Sequence, residues 1–151
     1  MFRSTKKETL DILVVDDDKI VALLHKTQLR CANVGPAPQL FSNGKEALTY
    51  LRKKDLPHKH FLVLLDLNMP VLDGWAFLRL LEKDPMTANV HVVIITSSIN
   101  REDEVRSRNF KQVIGFCRKP MDKTCVKDIK NHEQLRRFFQ SENSPASEKD
   151  S

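Results

Sequence analysis

Apolar and polar positions fall in blocks along this chain. Four short runs stand out: Ile12-Leu13-Val14-Val15, Phe61-Leu62-Val63-Leu64-Leu65, Val92-Val93-Ile94-Ile95 and Val113-Ile114-Gly115-Phe116. Continuous Val, Ile and Leu runs of this length read as strands buried on both faces, the pattern of a parallel sheet. A weaker run, Gln39-Leu40-Phe41, precedes Ser42-Asn43-Gly44 and reads as a further strand. Helix-length segments separate the runs, which predicts right-handed βαβ units. The pattern therefore predicts an α/β fold: a five-stranded parallel sheet with helices on both faces, doubly wound.

The predicted helices lie at about 18–32, 44–54, 74–83, 100–109 and 122–139. In the first, Ile20, Leu24, Thr27 and Cys31 share one face at helical spacing. Asp18 is placed to cap it, and Gly35-Pro36 to stop it. Ser42 or Asn43 is placed to cap the second, which turns Ala47, Leu48 and Leu51 inward. Phe77, Leu78 and Leu81 form the inner stripe of the third. The fourth is highly charged, with Ile99 and Val105 as its only apolar anchors, and is expected to be weakly held. Residues 1–9 are expected to be loose, 10–140 to form one domain, and the Ser-, Glu- and Lys-rich stretch 141–151 to be disordered.

The strand ends carry the chemistry. The first run leads into Asp16-Asp17, the third-strand run into Asp66, the next into Thr96, and the last through Cys117 and Arg118 into Lys119-Pro120. In an open α/β sheet the functional crevice lies at the carboxyl ends of the strands. Three carboxylates, a hydroxyl and an ammonium are thus expected at one edge. Clustered carboxylates raise one another's pKa by like-charge repulsion, and such a set of oxygens suits Mg²⁺. Asp66 is the natural nucleophile for a phosphoryl group, because an aspartate can form an acyl phosphate.

Composition narrows the picture. The 151 residues suit one domain, and no apolar stretch is long enough to span a membrane. The first residues lack the apolar core of a signal peptide, so the protein is expected to be cytoplasmic. The three cysteines, Cys31, Cys117 and Cys125, form no CxxC pair and are expected to be reduced. The five histidines show no metal spacing, and His58 and His60 read as solvated loop residues. The formal charge of +5 is spread along the chain. Its densest patch, Lys123, Lys127, Lys130, Arg136 and Arg137, is interrupted by Asp128 and Glu133 and lacks interleaved aromatics. It reads as a solvated helix face, with no nucleic acid partner expected.

Val14-Val15-Asp16-Asp17, Leu65-Asp66-Leu67-Asn68-Met69-Pro70 with Asp73-Gly74, Ile95-Thr96-Ser97-Ser98 and Phe116-Cys117-Arg118-Lys119-Pro120 together resemble the receiver domain of two-component response regulators, in its stand-alone form. The resemblance covers about 10–140 and implies a flavodoxin-like (βα)5 fold. It implies that Asp66 accepts phosphate from a histidine kinase or phosphotransfer protein. It also implies that Asp16, Asp17, Asp66 and the Asn68 backbone carbonyl hold Mg²⁺, and that Thr96 and Lys119 bind phosphoryl oxygens. Phe116 stands in the place of the family's aromatic switch, and the output is expected to be a downstream protein target or a phosphorylation-dependent dimer. Gln112 and Val113 stand where the family usually has a small Gly-Ala pair, so the packing of the fourth helix is expected to depart from the family's.

Two other readings compete. A small-molecule phosphatase or phosphotransferase of the haloacid dehalogenase type also uses an aspartyl phosphate. It needs an acid two residues after the nucleophile, where this chain has Asn68, and usually a cap domain. Direct DNA binding through the basic last helix lacks a helix-turn-helix signal.

Overall fold

Each apolar run becomes a strand, and each strand extends beyond its apolar centre. In the computed structural model, which describes residues 7–140, the order is β1 (Thr9–Val15), α1 (Lys19–Cys31), β2 (Gln39–Phe41), α2 (Gly44–Lys53), β3 (Lys59–Leu65), α3 (Gly74–Lys83), β4 (Asn89–Thr96), α4 (Arg101–Ser107), β5 (Val113–Arg118), α5 (Lys123–Asn131) and α6 (Arg137–Gln140). The expectation for 141–151 lies outside the described residues, as do residues 1–6. β1 begins at Thr9, three residues before its apolar run, because Thr9 already pairs with Lys59.

The strands form one parallel sheet in the order β2-β1-β3-β4-β5. This is the flavodoxin-like doubly wound fold. The order reverses at β1, so the carboxyl-end crevice opens between β1 and β3. One face of the sheet buries Ile12, Val14, Leu62 and Leu64 with Ala22 and Leu29 of α1 and Val126 and Ile129 of α5. The other buries Leu13, Val63 and Leu65 with Leu51 of α2 and Phe77, Leu78 and Leu81 of α3. Helices α1 to α5 all start at an Asp or Asn whose side chain accepts from a backbone N–H of the first turn: Asp18, Asn43, Asp73, Asn100 and Asp122. Each such cap stabilises its helix by about 1 kcal/mol.

The structure corrects several expectations. The stripe of α1 that runs from Ile20 to Cys31 faces outward, with Ile20 81% exposed. The buried face is Ala22, His25 and Leu29. Periodicity identifies a face but not its direction; packing against the sheet decides which face turns inward. Ile99 and Val105 of the fourth helix region are also exposed. The segment is anchored instead by buried Ser107 and Phe110, the latter against Trp75 with ring centroids 6.1 Å apart. Gln112 passes its carbonyl to Val92 N–H at 2.8 Å, next to a register irregularity at Val92/Val93.

The expected last helix is two. The backbone at His132 is extended, and its Nδ1 accepts from Gln134 N–H at 3.2 Å. This local bond competes with the helical ladder and turns the chain so that Leu135 and Phe139 are buried. The cysteine expectation also fails for two of three: Cys117 and Cys125 form a disulfide with Cα atoms 6.2 Å apart, while Cys31 is free and exposed. The turn between β5 and α5 brings together two residues whose spacing resembles no disulfide or metal motif.

His60 is no solvated loop residue. It is buried in β3 beside buried His91 of β4. Their planes differ by 5°, their centroids are 5.5 Å apart, and His60 Nδ1 lies 3.2 Å from His91 Nε2. The rings therefore meet edge to edge, and one nitrogen must donate while the other accepts. Two imidazolium rings cannot share this bond. Burial, then the charges of His60, His132 and Arg137, push the His91 pKa down to about 4. The unfolded chain takes up this proton near the ordinary pKa of about 6.5, so stability is whole above that pH and is lost as pH falls toward 4. The loss amounts to roughly 3 kcal/mol. We expect His91→Gln to flatten the decline in urea-unfolding free energy between these pH values; an unchanged slope would contradict the assignment.

Candidate functional site

The ladder of the sheet runs one residue past the strands and fixes the side chains that leave it. Asp16 N–H donates to Phe41 O and Asp66 N–H to Val15 O, both at 3.0 Å, and Lys119 N–H donates to Thr96 O at 2.9 Å. Asp16, Asp17, Asp66, Thr96 and Lys119 thereby gather at one edge. The carboxylates of Asp16, Asp17 and Asp66 offer oxygens all within 4.8 Å of one another. Asp16 and Asp66 are buried and Asp17 is exposed.

Lys119 Nζ lies 2.8 Å from Asp16 Oδ2 and 3.1 Å from Asp66 Oδ2. The second oxygens are held by the loops: Asp16 Oδ1 accepts from Asp18 N–H at 2.9 Å, and Asp66 Oδ1 from Asn68 N–H at 3.3 Å. Burial raises the Asp66 pKa, with the charge of Asp16 adding to it, against the opposing pull of Lys119. The rise matches the sequence expectation in direction, but desolvation exceeds like-charge repulsion as its cause. Burial works against the Lys119 ammonium, and its bonds and charge interactions with both carboxylates more than offset this, so its pKa is raised.

Thr96 is fully buried, and its Oγ1 accepts from Ser98 N–H at 3.1 Å, which leaves its proton to donate. Phe116 is half-buried on β5, in register with Ile94. It lines a cavity of about 220 Å³ with Glu104, Ser107 and Arg108 from α4 and its end. Gly74 shapes the floor of the crevice. A Cβ there would lie 2.6 Å from Asp66 O and 2.8 Å from Leu67 Cα, so only glycine lets α3 start this close to the acidic loop.

Two side chains at the site escaped the sequence reading. His25 and Gln28 of α1 both reach the backbone of Met121, two residues beyond Lys119. Their spacing with Ala22 and Leu29 is helical, but it carries meaning only once the inward face of α1 is known. The exposed apolar residues of that helix, Ile20, Leu23 and Leu24, follow Asp17 and Asp18 in the chain, and exposed Val71 lies in the loop between β3 and α3. Val71 adopts a φ of 73°, an uncommon conformation for a β-branched residue.

A family model described as response regulator receiver domain matches residues 12–131. The chain belongs to that family. It is 26% identical to two-component response regulator ARR22 of Arabidopsis thaliana, over 84% of this chain and 85% of that one. It is 32% identical to response regulator PleD of Caulobacter vibrioides, over 74% of this chain but 23% of that longer protein. Among solved structures, the bacteriophytochrome response regulator AtBRR matches with 27% identity and a TM-score of 0.65, covering 82% of this chain and 90% of that one. A two-component response regulator of Cytophaga hutchinsonii shares the fold at a TM-score of 0.69 and 23% identity, with 81% and 94% covered. This receiver domain has no helix, among the described residues, that is long and apolar enough to cross a membrane.

The donor set fits the Mg²⁺ that the family implies: three hard carboxylate oxygens within reach of one another, at a site open through Asp17. Because Lys119 lowers the Asp66 pKa, Lys119→Met is expected to raise it further in the metal-free receiver domain. A carboxyl-carbon NMR titration of Asp66 reads this directly, and an unmoved midpoint would show that the ammonium does not act on Asp66.

Proposed function

We propose that the chain is a stand-alone response regulator whose Asp66 accepts a phosphoryl group from a histidine kinase or histidine phosphotransfer protein. The observation that carries this reading is the Lys119 ammonium set between Asp16 and Asp66 beside the further carboxylate of Asp17. An anionic nucleophile attacking an anionic phosphoryl group needs cations already in place. Asp66 Oδ forms the new bond to phosphorus as the bond from phosphorus to the donor imidazole nitrogen breaks, and that nitrogen keeps the electron pair. Asp16, Asp17, Asp66 and the Asn68 carbonyl are the ligands we assign to Mg²⁺, which when bound supplies charge neutralisation for the phosphoryl oxygens. Lys119 and the Thr96 hydroxyl take up the remaining oxygens.

The donor must bring its histidine within bonding distance of Asp66, so its body rests on the rim of the crevice. The exposed Ile20, Leu23 and Leu24 of α1 give that rim an apolar contact surface. Movement of Thr96 toward the phosphoryl group then lets Phe116 turn inward. The cavity beside Phe116 is lined by α4 residues, and Val105 of α4 and Ile99 just before it are exposed. Two packings of α4 close in energy suit a switch that a downstream protein reads.

Asn68 at the second position after Asp66 disfavours the small-molecule phosphatase reading, because a carboxamide supplies no general acid. The basic patch is partly spent on internal contacts: Arg137 pairs with Glu8 and stacks on Phe138, its guanidinium 4.7 Å from the ring centroid. That favours a protein output over DNA.

Acetyl phosphate with Mg²⁺ is expected to add one phosphoryl mass to the chain, and Asp66→Asn to abolish the addition. Equal labelling of the variant would refute Asp66 as acceptor. Mg²⁺ binds the folded site and so should raise the melting temperature by mass action. Asp17→Ala is expected to weaken Mg²⁺ at least tenfold; a titration identical to the parent's would remove Asp17 from the ligand set.

A further inference from the structure

After the bond from Lys119 N–H to Thr96 O, the backbone of the loop that carries Lys119 leaves the sheet ladder. Residues 119–122 lie between β5 and α5, with Lys119-Pro120 in the cis form. Yet Met121 is buried, so its peptide groups need partners within the protein. α1 supplies both. Gln28 Nε2 donates to Met121 O at 2.7 Å, and Met121 N–H donates to His25 Nε2 at 3.4 Å.

His25 is 1% exposed, on the inward face of a helix that otherwise packs Ala22 and Leu29 against the sheet. A polar ring there costs stability unless its bond is made. To accept at Nε2 the ring must be neutral with its proton on Nδ1. Burial, with Lys119 in support and Asp16 opposed, keeps its pKa below the ordinary histidine value. Gln28 is anchored by one bond alone, since its Oε1 is buried without a partner. The far side of the loop is tied by the Cys117–Cys125 disulfide. The segment that begins two residues before Lys119 is therefore held from the sheet, from α5 and from α1.

We propose that His25 and Gln28 are positioning residues for Lys119: by gripping both peptide groups of Met121 they fix the loop at the height where the Lys119 ammonium meets Asp16 and Asp66. The two side chains never touch the reacting atoms. They act through a backbone segment two residues long, in which Pro120 leaves little slack. A displacement of the ammonium by an ångström would be felt strongly by a phosphoryl group at Asp66. This inference rests on the phosphoryl reading for its consequence, but the placement of Lys119 against Asp66 is measurable without it.

The test uses the full chain with His25→Leu, His25→Gln and Gln28→Leu, each alone and combined with Lys119→Met. The first readout is the Asp66 carboxyl titration by NMR without Mg²⁺. The second is the affinity for beryllofluoride with Mg²⁺, followed by fluorescence of Trp75, the chain's single tryptophan, at the start of α3. We expect His25→Leu and Gln28→Leu to shift the Asp66 titration toward that of Lys119→Met and to weaken beryllofluoride about tenfold, the scale of a modest misplacement. His25→Gln, which restores an acceptor near the Nε2 place, should stay within about twofold of the parent. In the Lys119→Met background none of the three should matter further. Unchanged titration and affinity in His25→Leu and Gln28→Leu, or equal losses with and without Lys119, would overturn the proposal. Should His25→Leu not fold, half-buried Gln28→Leu and His25→Gln carry the same comparison. A parent chain that binds no beryllofluoride would defeat the phosphoryl reading, while the Asp66 titrations alone would still decide whether α1 places the ammonium.

Discussion

The site depends on one half-buried cation, the Lys119 ammonium. Lys119 at the end of β5 reaches Asp16 at the end of β1 and Asp66 at the end of β3, spanning the carboxyl edge of the sheet. Without it, two nearly buried carboxylates would face each other in a medium that disfavours their charge. With it, each carboxylate keeps one oxygen on the ammonium and the other on a loop N–H. The outcome is a crevice in which three carboxylates and one ammonium stand side by side.

That constraint explains the precision of the surrounding backbone. Asp66 can sit at the crevice only if α3 begins against it, and Gly74 permits this approach. Lys119 can span the distance only if its loop is pinned, and the bond to Thr96 O, the disulfide and the two α1 side chains do so. Thr96 and Phe116 lie on the neighbouring strands β4 and β5, and Phe116 lines the cavity beside α4. Helix α4 is short, and its own apolar residue Val105 is exposed.

The opposite edge of the sheet is built on another principle. There His60 and His91 share an in-plane bond, with Glu8, Arg137 and Phe138 packed around them. This group joins the start of β1 and the terminal helix α6 to the centre of the sheet. It contributes stability far from the crevice, and its demand that the rings share a single donated proton makes it sensitive to acid.

The sequence by itself determined the sheet, the order of its elements and the identity of the acidic crevice. Continuous Val and Ile runs admit few alternatives to buried parallel strands, and the residues just past each run have nowhere to go but the carboxyl edge. Asp18 and Asn43 were legible as caps because capping is a local bond between neighbours. What the tertiary structure alone decided were matters of direction and of distant pairing. The outward turn of Ile20 and Leu24, and the inward turn of His25 and Gln28, depend on which face of α1 meets the sheet, and periodicity carries no sign. The pairings of His60 with His91, Cys117 with Cys125, and Gln28 with Met121 join residues 31, 8 and 93 positions apart. No spacing rule links such residues; packing brings them together once the sheet has formed.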